Sequence, residues 1–139
     1  MFCFQCEQTA GCTGCTGTAG VCGKQASTAN LQDEVTGALV GLAQTVRAAG
    51  AQTNAEARRA ADDLAMEGLF ATLTNVDFDD AALADLRERA HAERDAVAAA
   101  AGVEASPDYD LAALWNAPED VRSLKSLVLF GLRGLAAYA

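Results

Sequence analysis

The chain has 139 residues, 51% of them apolar, and a formal net charge of −9. That length suits one domain with its own core, and the acidic surplus argues against nucleic acid or an anionic membrane surface as partner. Frequent alanine and only two prolines favour helices over strands.

The chain opens with a cysteine-rich segment, residues 1–26. It holds all five cysteines, Cys3, Cys6, Cys12, Cys15 and Cys22. Thiols that serve only as small apolar residues would be scattered along the chain. Here they crowd a stretch rich in Gly and Thr, which needs something other than a core to fix its shape. A thiolate-held metal centre supplies that. Cys3 pairs with Cys6, and Cys12 with Cys15, at C-x2-C spacing. Gly11, Gly14, Gly17, Gly20 and Gly23 provide backbone freedom for tight wrapping. No charged and apolar leader precedes the cysteines. An odd cysteine count without an export signal implies reduced thiols for metal and a cytoplasmic location.

Residues 27–139 are expected to form an antiparallel bundle of about four helices. The first starts near Ser27 or Thr28 and runs to Ala49, with Leu31, Val35, Leu39, Leu42 and Val46 on one face. Gly50 is its natural stop. The second opens with Thr53 as cap and Glu56 three positions on, and ends near Asn75. Its Met66 and Phe70 are expected in the core. Asp79 caps a third helix, about 80–101, with Phe78 as a hydrophobic staple, an apolar stripe of Leu83, Leu86, Ala90, Val97 and Ala101, and Gly102 as its stop. Asp85, Arg87, Glu88, Arg89 and Glu93 make its solvated face. His91, the single histidine, lies on the flank of that stripe and has no partner at ligand spacing.

Residues 103–117 read as a connection. Ser106-Pro107-Asp108 marks a turn, and Leu111, Leu114 and Trp115 pin the connection to the bundle. The last helix begins near Pro118. After Leu127 it is apolar nearly all round, which predicts a buried helix. Four helices cannot easily surround one of their own number. The expectation is therefore that further protein packs here, or that the chain self-associates through this helix. The run Leu127–Ala139 contains Arg133 and is too short to span a bilayer. One internal echo is present: Leu31-x3-Val35-x3-Leu39-x-Gly41 has the spacing of Leu124-x3-Val128-x3-Leu132-x-Gly134.

Several strings narrow the chemistry: Cys3-Phe4-Gln5-Cys6-Glu7-Gln8-Thr9-Ala10, Gly14-Cys15-Thr16, Gly20-Val21-Cys22-Gly23-Lys24, Asn30-Leu31-Gln32-Asp33, Leu69 to Val76, and Arg122 to Ala139. Together they resemble the amino-terminal part of the hybrid cluster proteins, or hydroxylamine reductases, whose polypeptides are several times longer. The resemblance implies that Cys3, Cys6, Cys15 and Cys22 hold a [4Fe–4S] cluster, spaced C-x2-C-x8-C-x6-C. A [2Fe–2S] cluster is the alternative, found in members with a longer middle gap.

Cys12 departs from the family's pattern. By spacing alone it is as good a ligand as Cys15, and it stays a substitute; the Gly14-Cys15-Thr16 context favours Cys15. The resemblance also implies an electron-relay role, with an electron-donor redox protein as partner. The hybrid Fe–S–O cluster that reduces hydroxylamine takes its ligands from later parts of the family's chain. No catalytic residue is therefore assigned here, and no turnover is expected of this chain alone. Phe2, Phe4 and Val21 are expected to shield the cluster, and Lys24 to be a solvated lysine unless it offsets cluster charge. A different class of function stays open: a structural zinc module held by Cys3, Cys6, Cys12 and Cys15. It would be colourless and would leave Cys22 idle.

Overall fold

The computed structural model describes residues 3–6 and 14–139. Five helices occupy most of it: α1 (Ala26–Ala49), α2 (Ala55–Ala71), α3 (Asp80–Ala101), α4 (Leu111–Trp115) and α5 (Glu119–Ala136). Among the described residues only two isolated bridges are strand-like, so the all-α expectation holds.

The core is a three-helix unit. Val35, Leu39 and Leu42 of α1 meet Ala61 and Leu64 of α2 and Leu83 and Leu86 of α3, all buried. Each fully buried Leu or Val contributes about 1.5–3 kcal/mol by leaving water. Pairings along the helices give their directions. Thr28 Oγ1 donates to Asp80 Oδ1 (2.6 Å) and Arg87 binds Glu34, so α1 and α3 run the same way. Leu39 packs on Gly68 while Val46 sits beside Ala61, so α2 runs antiparallel to α1. A Cβ on Gly68 would stand 2.7 Å from Leu39 Cδ1, which is why this contact takes a glycine.

Local signals account for most boundaries. Asp79 caps α3 by accepting from the amides of Ala81 and Ala82, and Gly102 closes it at φ 65°. α2 departs from expectation at both ends. Asn54, not Thr53, is its cap and accepts from Ala57 N, and among the described residues the buried Thr53 Oγ1 has no hydrogen-bond partner. At the other end, Thr72 turns its hydroxyl back onto Gly68 O (2.9 Å), the helix stops at Ala71, and Asn75 takes a left-handed φ of 64°. Asn tolerates that region better than other residues with a Cβ. Met66 and Phe70 were expected inside but lie partly in solvent, at 36% and 43% exposure. α2 turns its small residues to the core instead, because α1 approaches it closely at Gly68. Phe78 is likewise 43% exposed.

The connection after α3 is a strap, residues 103–110, laid along α1. Tyr109 N donates to Gly37 O (3.1 Å), and Ser106 N to Thr45 Oγ1 (2.9 Å). A Cβ on Gly37 would fall 2.5 Å from Tyr109 O, and one on Gly41 2.9 Å from Pro107 O, so these glycines admit the strap's backbone. His91 Nε2 and Arg94 Nη1 both reach the Asp108 carboxylate at 2.8 Å and hold the strap from the α3 side. The strap leads into α4, a single turn capped by Asp110 that was expected to be loop. Its Leu111 and Leu114 are buried as expected.

α5 is apolar nearly all round, and the other helices do not surround it: Leu124, Leu127 and Leu135 are 65%, 68% and 67% exposed. Arg133 is its one buried residue. A groove of about 400 Å³ separates α5 from α1 and α4 and is lined by Val40, Leu114, Leu124, Val128 and Leu132. Pro118 is the N-cap of α5 rather than its first residue. Among the described residues no helix is long and apolar enough to cross a membrane.

Candidate metal centre

The described part of the cysteine segment lies against the first half of α1, the second half of α5 and the turn after α2. Cys15 N donates to Cys3 O (2.7 Å), which sets the Cys15 backbone directly beside Cys3. Cys22 sits in a tight turn. Gly20 N donates to Lys24 O (2.7 Å) and Gly23 N to Gly20 O (2.9 Å), with Gly23 at φ 88°. Gly20 lies beside the thiol, its ideal Cβ position 3.4 Å from Cys22 Sγ. Cys3, Cys6, Cys15 and Cys22 thereby line one small pocket, with Lys24, Thr74 and Asn75 also in its wall. Cys3 is buried, Cys6 and Cys15 are half-buried, and Cys22 is exposed. Cys12 and Phe2, named as substitute ligand and shield, lie outside the described residues.

Beneath the pocket is a polar layer. Lys24 was expected to be solvated unless it offset cluster charge; it is 2% exposed. Its Nζ donates to Gln5 Oε1 (2.8 Å) and Gln32 Oε1 (2.6 Å). Gln5 Nε2 donates to Asp33 Oδ1 (3.2 Å), and Gln32 Nε2 to Asp77 O (2.8 Å). Thr74 Oγ1 ties the Cys3–Cys6 stretch down by donating to Gln5 O (2.7 Å). On the far side of Asp33, buried Arg133 donates from Nε to Thr72 Oγ1 (3.1 Å) and from Nη2 to Thr36 Oγ1 (2.9 Å). Each threonine hydroxyl meanwhile donates to the carbonyl four residues back, so its lone pairs are free to accept from the guanidinium.

These surroundings shift the titrating groups. Burial pushes the Cys3 thiol above its ordinary range, against the Gln5 amide and the Lys24 charge, which pull it down. A bound metal overcomes that bias, because a coordinating thiol is deprotonated outright. Burial also raises Asp33 to about 6; the Gln5 hydrogen bond and the charges of Arg133 and Lys24 oppose the rise without cancelling it. Arg133 is lowered by desolvation.

The expected shields behave differently from one another. Phe4 packs on Trp115, ring centroids 4.4 Å apart, and lines a second cavity together with Cys6. Val21 is 80% exposed. Among the described residues no three His, Cys, Asp or Glu side chains gather tightly enough for a single metal ion. A polynuclear cluster does not need that convergence, since each thiolate binds its own iron. Four thiol side chains facing one pocket, with a buried ammonium in its wall, have the donor set and the charge that such a cluster requires.

Comparison with known proteins bears on the whole chain. The family model described as Prismane/CO dehydrogenase family matches residues 1–139. The chain belongs to the prismane/CO dehydrogenase family. Within it, the chain is 41% identical to the hydroxylamine reductase of Desulfitobacterium hafniense over 165 aligned residues, covering all of this chain and 29% of that protein. It is 42% identical to the hydroxylamine reductase of Porphyromonas gingivalis, covering 28% of that relative, and 39% identical to that of Methanocella arvoryzae, covering 30%. The chain thus spans under a third of the length of these curated relatives. Membership of the prismane family carries iron–sulfur cofactors at the level of the family. It also accounts for the strings singled out in the sequence: Gln32, Asp33, Thr72, Thr74 and Arg133 fall within them and build the layer under the cysteines.

Proposed function

We propose that this chain is the iron–sulfur electron-relay region of a hydroxylamine reductase-like protein. Cys3, Cys6, Cys15 and Cys22 are the ligands of a [4Fe–4S] cluster. The observation that carries the reading is that these four cysteines, spread over 20 positions, line one pocket. When bound, the cluster supplies one-electron transfer. The chain's own residues position the thiolates, place a fixed positive charge beside them, and pack Phe4, between Cys3 and Cys6, on Trp115. The parent reaction is reduction of hydroxylamine to ammonia and water, or of nitric oxide, at a centre built by other parts of a longer polypeptide. An electron-donor redox protein feeds the relay, in the cytoplasm. The apolar side of α5 packs on the rest of that polypeptide or on a second copy.

The test is anaerobic purification with a visible spectrum and an iron and zinc count. About four irons per chain and a broad brown absorption bleached by dithionite are expected. About two irons would change the cluster type, and a colourless chain with stoichiometric zinc would replace the relay by a structural module. Substitution separates the two candidates for the third ligand. Cys15→Ser should lose iron, whereas Cys12→Ser should keep it; the reverse result reassigns the ligand.

A further inference from the structure

We propose that Lys24 is a positioning residue for the cysteine pocket: its buried ammonium, locked by Gln5 and Gln32, raises the reduction potential of the cluster held there. This rests on the iron–sulfur reading above.

Lysine is strongly hydrated and almost never fully buried unless paired. Burial of an unpaired ammonium is costly even after relaxation. Lys24 is nonetheless 2% exposed. Its described partners are two neutral amide oxygens and the Phe78 ring, 5.5 Å from Nζ to the centroid. Among the described residues no carboxylate forms a salt bridge with it. The four cysteines share its pocket, and they are the groups that become anionic once metal binds. Asp33, bonded to the far end of Gln5, is the carboxylate that feels the Lys24 charge without pairing with it directly, and the ammonium and the ligand set occupy the same place.

Hydrogen-bond logic fixes the ammonium there. It can only donate, so both amide oxygens must face it. Both amide nitrogens must then face away, and each finds an acceptor, Asp33 Oδ1 and Asp77 O. Withdrawal of Lys24 would strand two buried acceptors. Gln5 lies between Cys3 and Cys6, and Lys24 lies two positions after Cys22. One ammonium therefore ties both ends of the cysteine segment to α1. Reduction adds one negative charge to the cluster. A fixed positive charge in a low-dielectric wall stabilises that state over the oxidised one.

The experiment compares the reconstituted chain with Lys24→Gln and Lys24→Arg by iron content and by potentiometric titration, read through the EPR signal of the reduced cluster. The expected result is that Lys24→Gln retains iron with a more negative midpoint potential, and that Lys24→Arg stays nearer the parent. A fully loaded Lys24→Gln at the parent's midpoint overturns the proposal. So do equal shifts in both variants, which would report a packing change rather than charge. Should Lys24→Gln fail to hold iron, Gln32→Glu takes its place, since it keeps an acceptor for the ammonium and sets a compensating negative charge against it. A more negative midpoint there upholds the proposal and an unmoved midpoint overturns it. A parent chain that holds no iron removes the iron–sulfur reading and this inference with it, whereas loaded variants with unmoved midpoints remove the inference alone.

Discussion

α1 and α5 share the spacing Leu-x3-Val-x3-Leu-x-Gly, and they have opposite fates. On α1, Val35, Leu39 and Leu42 are core residues, and Gly41 receives the backbone of the 103–110 strap. On α5, Leu124, Val128 and Leu132 face solvent or an open groove, and nothing lies within 4 Å of a Cβ placed on Gly134. The same periodicity thus specifies a helix in both places and burial in only one. Burial depends on which elements the rest of the chain brings alongside. For α1 these are α2, α3 and the strap; for α5 they are a few residues of α2 and α4.

Substitution can break this contrast, and core truncation should do so most strongly. Leu42→Ala should cost about 3–4 kcal/mol in urea unfolding, as fully buried leucines do. Leu127→Ala should stay within about 0.5 kcal/mol, the usual range at exposed sites. Equal losses would mean that α5 is covered in solution, and sedimentation would then reveal self-association.

The seam between the two helices provides the second test. Asp33 titrates at about 6 in the fold against an ordinary 3.8, so the folded chain binds its proton more tightly than the unfolded chain does. Its contribution to stability is therefore fully present below pH 3.8 and is lost as pH rises through about 6. Above that window the metal-free fold should be roughly 2–3 kcal/mol less stable from this group than at acid pH. Asp33→Asn should recover most of the difference at neutral pH while keeping an acceptor for Gln5. A flat pH profile in the parent would show that Arg133 and Lys24 fully offset the burial of the carboxylate.

The smallest effect compares the two glycines. Gly37→Ala should cost about 2 kcal/mol, because its Cβ would meet Tyr109 O and push the strap off α1. Gly134→Ala should gain roughly 0.5–1 kcal/mol from helix propensity alone. A gain at both positions would show that the strap yields easily.

The core-facing stripes of α1 and α3 were legible because they are local, with period and stop residues in or beside the helices that they define, whereas the cap, the end and the buried face of α2 depend on how closely α1 approaches. α4 is too short to show a period, although Asp110 is a readable cap. The burial of Lys24 was not legible, because its partners lie 19 and 8 positions away and nothing beside it in sequence is apolar enough to predict a covered site. The exposure of α5 agrees with the reading that the other helices cannot surround it; an apolar circumference shows what a helix would accept as neighbours, not which neighbours are present. At the candidate centre, spacing and resemblance picked out the cysteines. The polar layer beneath them left a fainter trace, in Gln32 and Thr36 interrupting the α1 face and Arg133 interrupting an apolar run. Such residues among leucines signal long-range hydrogen bonding, but their partners emerge only once the chain is folded.

The stacking of Phe4 on Trp115 makes the molecule its own optical sensor. Trp115 is the chain's single tryptophan, and its ring lies against the residue that follows Cys3. Indole emission therefore reports whether the cysteine segment is docked, without any added label. Loss of the stack would move the emission toward that of a hydrated indole, and an iron-bearing centre nearby would quench it. Loading, docking and release of the segment can thus be followed in real time by fluorescence from one residue.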